Sequence, residues 1–475
     1  MNNSATPTFY WYDYEAFGLN PMSDRLAQFA GIRTDMDLNI IGEPVMMYCK
    51  PANDFLPNPS SCLITGITPQ KALAEGLPEA EFIQRINQEF SQANTCVLGY
   101  NNLRFDDEFT RHTLYRNLFD PYAREWQNGC SRWDLLDLVR ATRSLRPEGI
   151  EWPVNDEGRP SVRLEDLTVA NGISHESAHD ALSDVYATIA VAKLIKQQQP
   201  KLFDFAFNNR SKNKLFKLLN LREQKPVIHV SGMYPVEKGN MAVVVPVAQH
   251  PINKNGIIVY DLSADPQDLL NLSPAKIHER LFTRNEDLAE GVARIPLKTV
   301  HVNKCPVIAP FMTLDGKAAK KYGIDLNVCR THLEIIRGQP GLAKKIQKVM
   351  SETEFEKRTD PDEMLYGGPF FNDDDKERMR HIHSMAPQDL VGYQPPFNDS
   401  RLPEMLFRMR ARNWPETLTE AEQQRWQTFR QTRLDVGAYL AELTRLSQMA
   451  ERTDTELKVL KALEDYARGL EASLA

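Results

Sequence analysis

Five residues of this chain have the types and spacing to do chemistry together: Asp13, Glu15, Asp106, His179 and Asp184. Asp13 and Glu15 stand two apart in TFYWYDYEAFG, residues 8–18. A run of aromatic and β-branched residues ended by a glycine predicts a strand. Alternation along a strand then puts both carboxylates on one face and Tyr14 on the other. Two such groups repel, and one is driven to keep its proton unless a cation sits between them. A hard divalent metal with oxygen ligands is the natural partner. Asp106 and its neighbour Asp107 lie in GYNNLRFDDE, residues 99–108, where a strand end passes through a polar turn into a helix. Acids are favoured at a helix start by its unpaired N–H groups and its dipole, so either one could serve only as a cap. Asp184 falls in a helix predicted from Ala181 to Ile195 by strong helix formers and apolar residues at three- and four-residue spacing. His179, five residues earlier, meets it only from the loop or first turn before that helix, where Ser177 and Asp180 are candidate caps.

Metal-assisted cleavage of a phosphodiester gives these residues a common purpose. It uses three or four carboxylates to hold two divalent ions about 3.5–4 Å apart, and a base whose pKa lies near the working pH. Asp13, Glu15, Asp106 and Asp184 suit the cage, and His179 suits the base. Taken singly, each reads more simply as a solvated acid or a surface histidine. The set, in this order and with these flanks, points to nuclease chemistry.

The elements that must position these residues follow from the surrounding pattern. Strand-like runs at residues 28–33 and 43–48, with a polar hairpin connection, extend the first strand into an antiparallel meander. Helical patterns at 69 onward and 79–90, a buried strand at 95–100, and helices at 133–145, 163–171 and 181–195 follow. This order predicts an α/β domain with a mixed sheet rather than a doubly wound one. From residue 201 the pattern turns to short strands with helical insertions, and from 399 it is helical, with Thr417 or Thr419 capping the helix that holds Trp426 and Phe429.

At 475 residues the chain is too long for one ordinary core, and its 42% hydrophobic and 25% charged residues are those of a globular protein. Residues 201–350 carry 23 Lys and Arg against 13 Asp and Glu, inside a chain whose formal net charge is −7. A basic block within an acidic chain is the footprint of a polyanion-binding surface, or else a solvated charged surface. The six cysteines are widely spaced without a Cys-x-x-Cys pair, and read as reduced thiols in a cytoplasmic protein. No basic-then-apolar start predicts a signal peptide, and no stretch predicts a membrane span. Phe203, Phe205 and Tyr322 could stack on bases, but such aromatics are more often core. Arg401, Arg408, Arg410 and Arg412 face either DNA or neighbouring acids, and surface ion pairing is the expected arrangement for most of them.

The order DYE, then YNNLRFDDE, then AHDALSDVYAT resembles the three motifs of the exonuclease superfamily in which four acids and a histidine carry the chemistry. Further stretches, SRWDLLDL, LRPEGIEWP, HPINKNGIIVYDL, MLYGGPFF and RARNWPETLTEAEQQRW, extend the resemblance to the bacterial exonuclease I family over nearly the whole chain. The resemblance implies an RNase H-like exonuclease domain (1–200), an SH3-like basic domain (201–350) and a C-terminal α-helical domain (351–475). It implies processive 3′ to 5′ degradation of single-stranded DNA to 5′-mononucleotides, in DNA repair and recombination. The cofactor would be two Mg2+ ions, with Mn2+ as a substitute. Carried over by motif, Asp13, Glu15, Asp106 and Asp184 become metal ligands and His179 the general base, while Glu15, Ala16, Asn101 and Arg163 become substrate contacts. Ala16 stands where family members commonly have Thr, which leaves only its backbone N–H for the terminal nucleotide. The resemblance also implies a monomer that binds the acidic C-terminal tail of single-stranded DNA-binding protein, with Arg146 as one receiving residue. An exoribonuclease with the same residues, and a non-catalytic single-strand-binding scaffold, are the competing readings.

Overall fold

The computed structural model describes residues 5–175, 180–351, 358–449 and 452–474. Its chain falls into two compact units, one formed by residues 1–132, 175–189 and 356–475, the other by 133–174 and 190–355.

The first unit is built on a five-stranded mixed sheet in the order β3-β2-β1-β4-β5. Strand β1 (Thr8–Ala16) lies at its centre, antiparallel to β2 (Leu26–Thr34), which pairs in turn with β3 (Ile40–Tyr48). On its other side β1 runs parallel to β4 (Thr95–Gly99), and β5 (Ser131–Asp134) completes the sheet. Trp133 and Asp134 therefore end a strand, and the helix expected from residue 133 begins at Leu135. The side chain of Asp134 accepts the N–H of Leu136, so a cap, and not helix propensity, sets that boundary.

Alternation on β1 does two jobs. Tyr10, Tyr12 and Tyr14 face the helix Glu79–Phe90, where they join Phe29, Phe82, Ile83, Ile86 and Phe90 in one apolar cluster. Phe9 and Trp11, on the other face, are fully buried, and Trp11 Nε1 donates to Thr34 Oγ1 at 3.0 Å. The same face then turns acidic at its C-terminal end with Asp13 and Glu15. The C-terminal helices belong to this unit. Leu443, Leu446, Val459, Leu460 and Leu463 pack with Phe17, Phe55, Cys62, Ile67 and Ala72. Met379, Ile382, Met405, Leu406 and Met409 pack with Tyr115 and Leu118.

The second unit holds a five-stranded antiparallel sheet in the order β10-β6-β7-β8-β9, where β6 is Val227–Val230, β7 Met241–Gln249, β8 Gly256–Asp261, β9 Leu297–His301 and β10 Val307–Pro310. Its short strands are buried on both faces. Ile228, Val243, Val245 and Ile258 pack with residues of the helices Pro274–Phe282, Leu326–Arg337 and Leu342–Ser351, while Val227, Val244, Ile257 and Val259 pack with Leu215 and Leu219. Phe203 and Tyr322 are buried and Phe205 is packed against the core, so these rings serve structure.

Candidate active site

The site forms where β1 outlasts its parallel neighbour. Strand β4 pairs with β1 only as far as Leu98 opposite Trp11, and the N–H of Tyr14 is donated at 3.2 Å to Asp106 Oδ1. A helix start thus takes over where a strand partner ends, which is where open α/β sheets place their sites. Asp106 opens the helix Asp106–Arg116. The hydroxyls of Tyr14 and Thr110 lie 3.1 Å apart, and Thr110 Oγ1 also donates to the Asp106 carbonyl at 2.9 Å, which ties this helix to β1.

Asp107, the adjacent acid, is fully spent elsewhere. It pairs with Arg124 and Arg132 in close contacts and has Arg111 at 3.6 Å. Burial pushes its pKa up, but Arg132, Arg124 and Arg111 outweigh burial and hold the carboxyl well below its ordinary range. The sequence left open which of the two acids caps the helix. The structure gives them different work: Asp106 faces the site, and Asp107 anchors the helix start to three arginines.

Asp184 comes from the first turn of the helix Ala181–Gln198, whose N-terminal Asp180 accepts the N–H of Ser183 at 3.2 Å. Carboxylate oxygens of Asp13, Glu15 and Asp184 lie within 4.8 Å of one another. Burial first, then Asp106, Glu15, Asp184 and Asp180, push the Asp13 carboxyl well above its usual range. Burial first, then Asp184, Asp106 and Asp180, push Glu15 up to about 8. So many acids can be ionised together only if a cation lies among them, and oxygen donors in this number suit a hard divalent ion.

Three features escaped the sequence reading. His175 Nε2 lies 2.5 Å from Asp184 Oδ1, with a side chain only 3% exposed. Across the sheet from Glu15, register places Gln28 and then Tyr48. Gln28 Nε2 donates to the Tyr48 hydroxyl at 3.2 Å, and Lys71 Nζ stands 4.7 Å from the centre of that ring. The one available signal for the pair was a glutamine among apolar residues at the register of Glu15.

The other expected residues are distributed as follows. Ala16 ends β1 at an irregularity in register after Glu15, and Asn101 turns the chain with a φ of 65°. Arg163 and Arg146 belong to the second unit. Arg163 is exposed, 3.5 Å from Glu165. Arg146 donates to the carbonyls of Leu145 and Thr313, so part of its guanidinium is already committed to backbone. His179 lies outside the described residues.

Comparison with known proteins matches the chain in three successive stretches. Residues 10–192 match an exonuclease family model, 210–352 the exonuclease I SH3-like domain and 359–470 the exonuclease I C-terminal domain. The exodeoxyribonuclease I of Escherichia coli K12 is 49% identical over 464 residues, 97% of each chain. The solved exonuclease I of Methylocaldum szegediense is 53% identical and superposes with a TM-score of 0.94, covering 98% of this chain and 99% of that one. E. coli exonuclease I in complex with a dA16 oligonucleotide superposes at 0.95 with 48% identity, covering 98% of this chain and all of that one. Three family models that tile the chain, joined to near-half identity along its length, leave one conclusion: this protein belongs to the exonuclease I family.

Proposed function

We propose that this protein is an exodeoxyribonuclease that degrades single-stranded DNA from its 3′ end, releasing 5′-mononucleotides processively. The observation that carries the proposal is the convergence of the Asp13, Glu15 and Asp184 oxygens within 4.8 Å, with Asp106 contributing charge to the same pocket. The family's exonuclease domain acts with divalent metal. Here Asp13, Glu15, Asp106 and Asp184 would hold it, with two Mg2+ ions, replaceable by Mn2+, as the proposed occupants. Bound in such a cage, divalent ions activate water and stabilise the leaving oxygen. The chain's own residues do the rest. Glu15 and Asp106 are fixed by β1 and by the Tyr14 N–H, which sets where the ligand oxygens stand before substrate arrives. His179 takes the proton from the attacking water, a role it inherits from the family motif.

The substrate follows from the family and from the basic middle domain, whose lysines and arginines suit a phosphate backbone without selecting a sequence. Glu15, the Ala16 N–H, Asn101 and Arg163 are the proposed contacts with DNA. The acidic tail of single-stranded DNA-binding protein is the proposed protein partner, received in part by Arg146. The chain acts as a monomer in the cytoplasm, in repair and recombination, with its exonuclease, SH3-like and helical domains at 1–200, 201–350 and 351–475. Among the described residues no helix is long and apolar enough to cross a membrane.

The test uses 5′-labelled single-stranded DNA, matched RNA and matched duplex, each with Mg2+ and with a chelator. A descending ladder from DNA alone, lost on chelation and in Asp184→Asn, is expected, with DNA binding by that variant retained. Degradation of RNA in place of DNA would overturn the substrate, and retained cleavage by Asp184→Asn would overturn the site.

A further inference from the structure

Asp184 stands in an electrostatically hostile place. Asp13 and Glu15 present oxygens within 4.8 Å of its own, and Asp106 and Asp180 add charge to the same pocket. Its side chain sits on the first turn of a helix and is 19% exposed, so a swing toward water would relieve that repulsion. The opposing contact is His175, nine residues earlier, whose Nε2 reaches Asp184 Oδ1 at 2.5 Å from an almost fully buried ring. A carboxylate has two oxygens, and a hydrogen bond to one orients the other. Carboxylates that bind metals are commonly held in this way by an outer partner.

We propose that His175 is a positioning residue that holds Asp184 in the metal-binding rotamer, engaging one oxygen and aiming the other at the ion. It is distinct from His179, which belongs to the family's catalytic motif. The inference rests on Asp184 being a metal ligand, and predicts that loss of His175 weakens metal binding itself, before any substrate is present.

The experiment follows Mn2+ alone, by the electron paramagnetic resonance signal of the free ion, titrated into the wild-type chain, His175→Ala, His175→Asn and Asp184→Asn without DNA. Loss of such an outer partner costs about 10–100-fold in metal affinity, and that loss is expected for His175→Ala. The Mg2+ concentration for half-maximal cleavage should rise in parallel, with kcat at saturating Mg2+ changed by less than about tenfold. His175→Asn keeps an N–H donor and should recover part of the affinity, which also covers the case in which the alanine variant fails to fold. Unchanged Mn2+ affinity in both His175 variants overturns the proposal, as does a collapse of kcat at saturating metal with affinity intact, which would make His175 a proton-transfer group. Unchanged affinity in Asp184→Asn would instead overturn the ligand assignment, an outcome separate from the first.

Discussion

Glu15 shows how one residue can tie stability to metal. Its carboxyl is pushed up to about 8 by burial and by Asp184, Asp106 and Asp180, against about 4.3 for a free glutamate. Below the lower value the group is protonated in both folded and unfolded chains and costs nothing. Between the two, the native state keeps a proton that the unfolded state has lost, so the stability of the metal-free protein falls as pH rises through this window. Asp13 shifts in the same direction for the same reasons. A bound cation removes the repulsion, so metal should stabilise most where the acids would otherwise be forced to ionise. Thermal melts with chelator or with Mg2+, at about pH 6 and about pH 8.5, should give a larger rise in Tm with metal at the higher pH. An equal rise at both would mean that the four acids do not share one site.

At the scale of elements, the start of the helix Asp106–Arg116 assigns opposite jobs to two adjacent acids. Asp106 faces the site and accepts the Tyr14 N–H at Oδ1. Asp107 is buried against Arg111, Arg124 and Arg132, and Glu125 bridges Arg111 at 2.7 Å and Arg132 at 2.9 Å. Asp106→Asn should therefore abolish cleavage with little loss of stability, because it removes a charge from a repelling cluster. Asp107→Ala should cost about 3–5 kcal/mol by leaving buried guanidinium groups without their partner. Urea unfolding of both variants, with cleavage assays alongside, checks this. Equal stability loss in the two would mean that the pair acts as one structural unit. The strand β5 teaches a related lesson, since its last residues carry helix-compatible types yet pair into the sheet until Asp134 caps the next helix.

Across the first unit, the stretch matched to the exonuclease model and the stretch matched to the C-terminal domain are locked by buried charge. Arg412 reaches Asp54 at 2.9 Å and Asp362 at 2.6 Å, all three almost wholly buried, while Arg408 also holds Asp362 at 3.0 Å. Burial pushes the carboxyls of Asp54 and Asp362 up, but the guanidinium groups, Arg412 foremost, bring Asp54 down to about 2 and Asp362 lower still. A polar seam joins them, with Asn413 accepting the N–H of Ala80 at 2.8 Å. Arg412→Ala should cost about 3–5 kcal/mol in a denaturant titration, as removal of one partner from a buried network does. A loss below about 1 kcal/mol would mean that the apolar clusters alone hold the helices in place.

Much of this was legible without a structure because it is local. Period-two alternation is enough to place Asp13 and Glu15 on one face of β1. The spacing of apolar residues places Asp184 at a helix start, and Thr419 completes a capping box with Glu422, one of the two caps read from the sequence. The order of elements likewise leads to a mixed sheet, and the acid pairing expected for Arg401, Arg408, Arg410 and Arg412 is present, though buried rather than on the surface. What only the tertiary structure decided depends on residues distant in the chain. Asp106 and Asp107 are neighbours of identical type, and the choice between them is made by Arg124 and Arg132, delivered by later segments. His175 carries no local mark of its role, and the glutamine among apolar residues at Gln28 marks only a polar position, because both roles exist only once the helix bearing Asp184 and the strand β2 are brought to β1. Hydrophobic periodicity records which face of an element is buried, but not which partner buries it. Contacts between distant segments, and the electrostatics of the pocket they enclose, arise only in the folded chain.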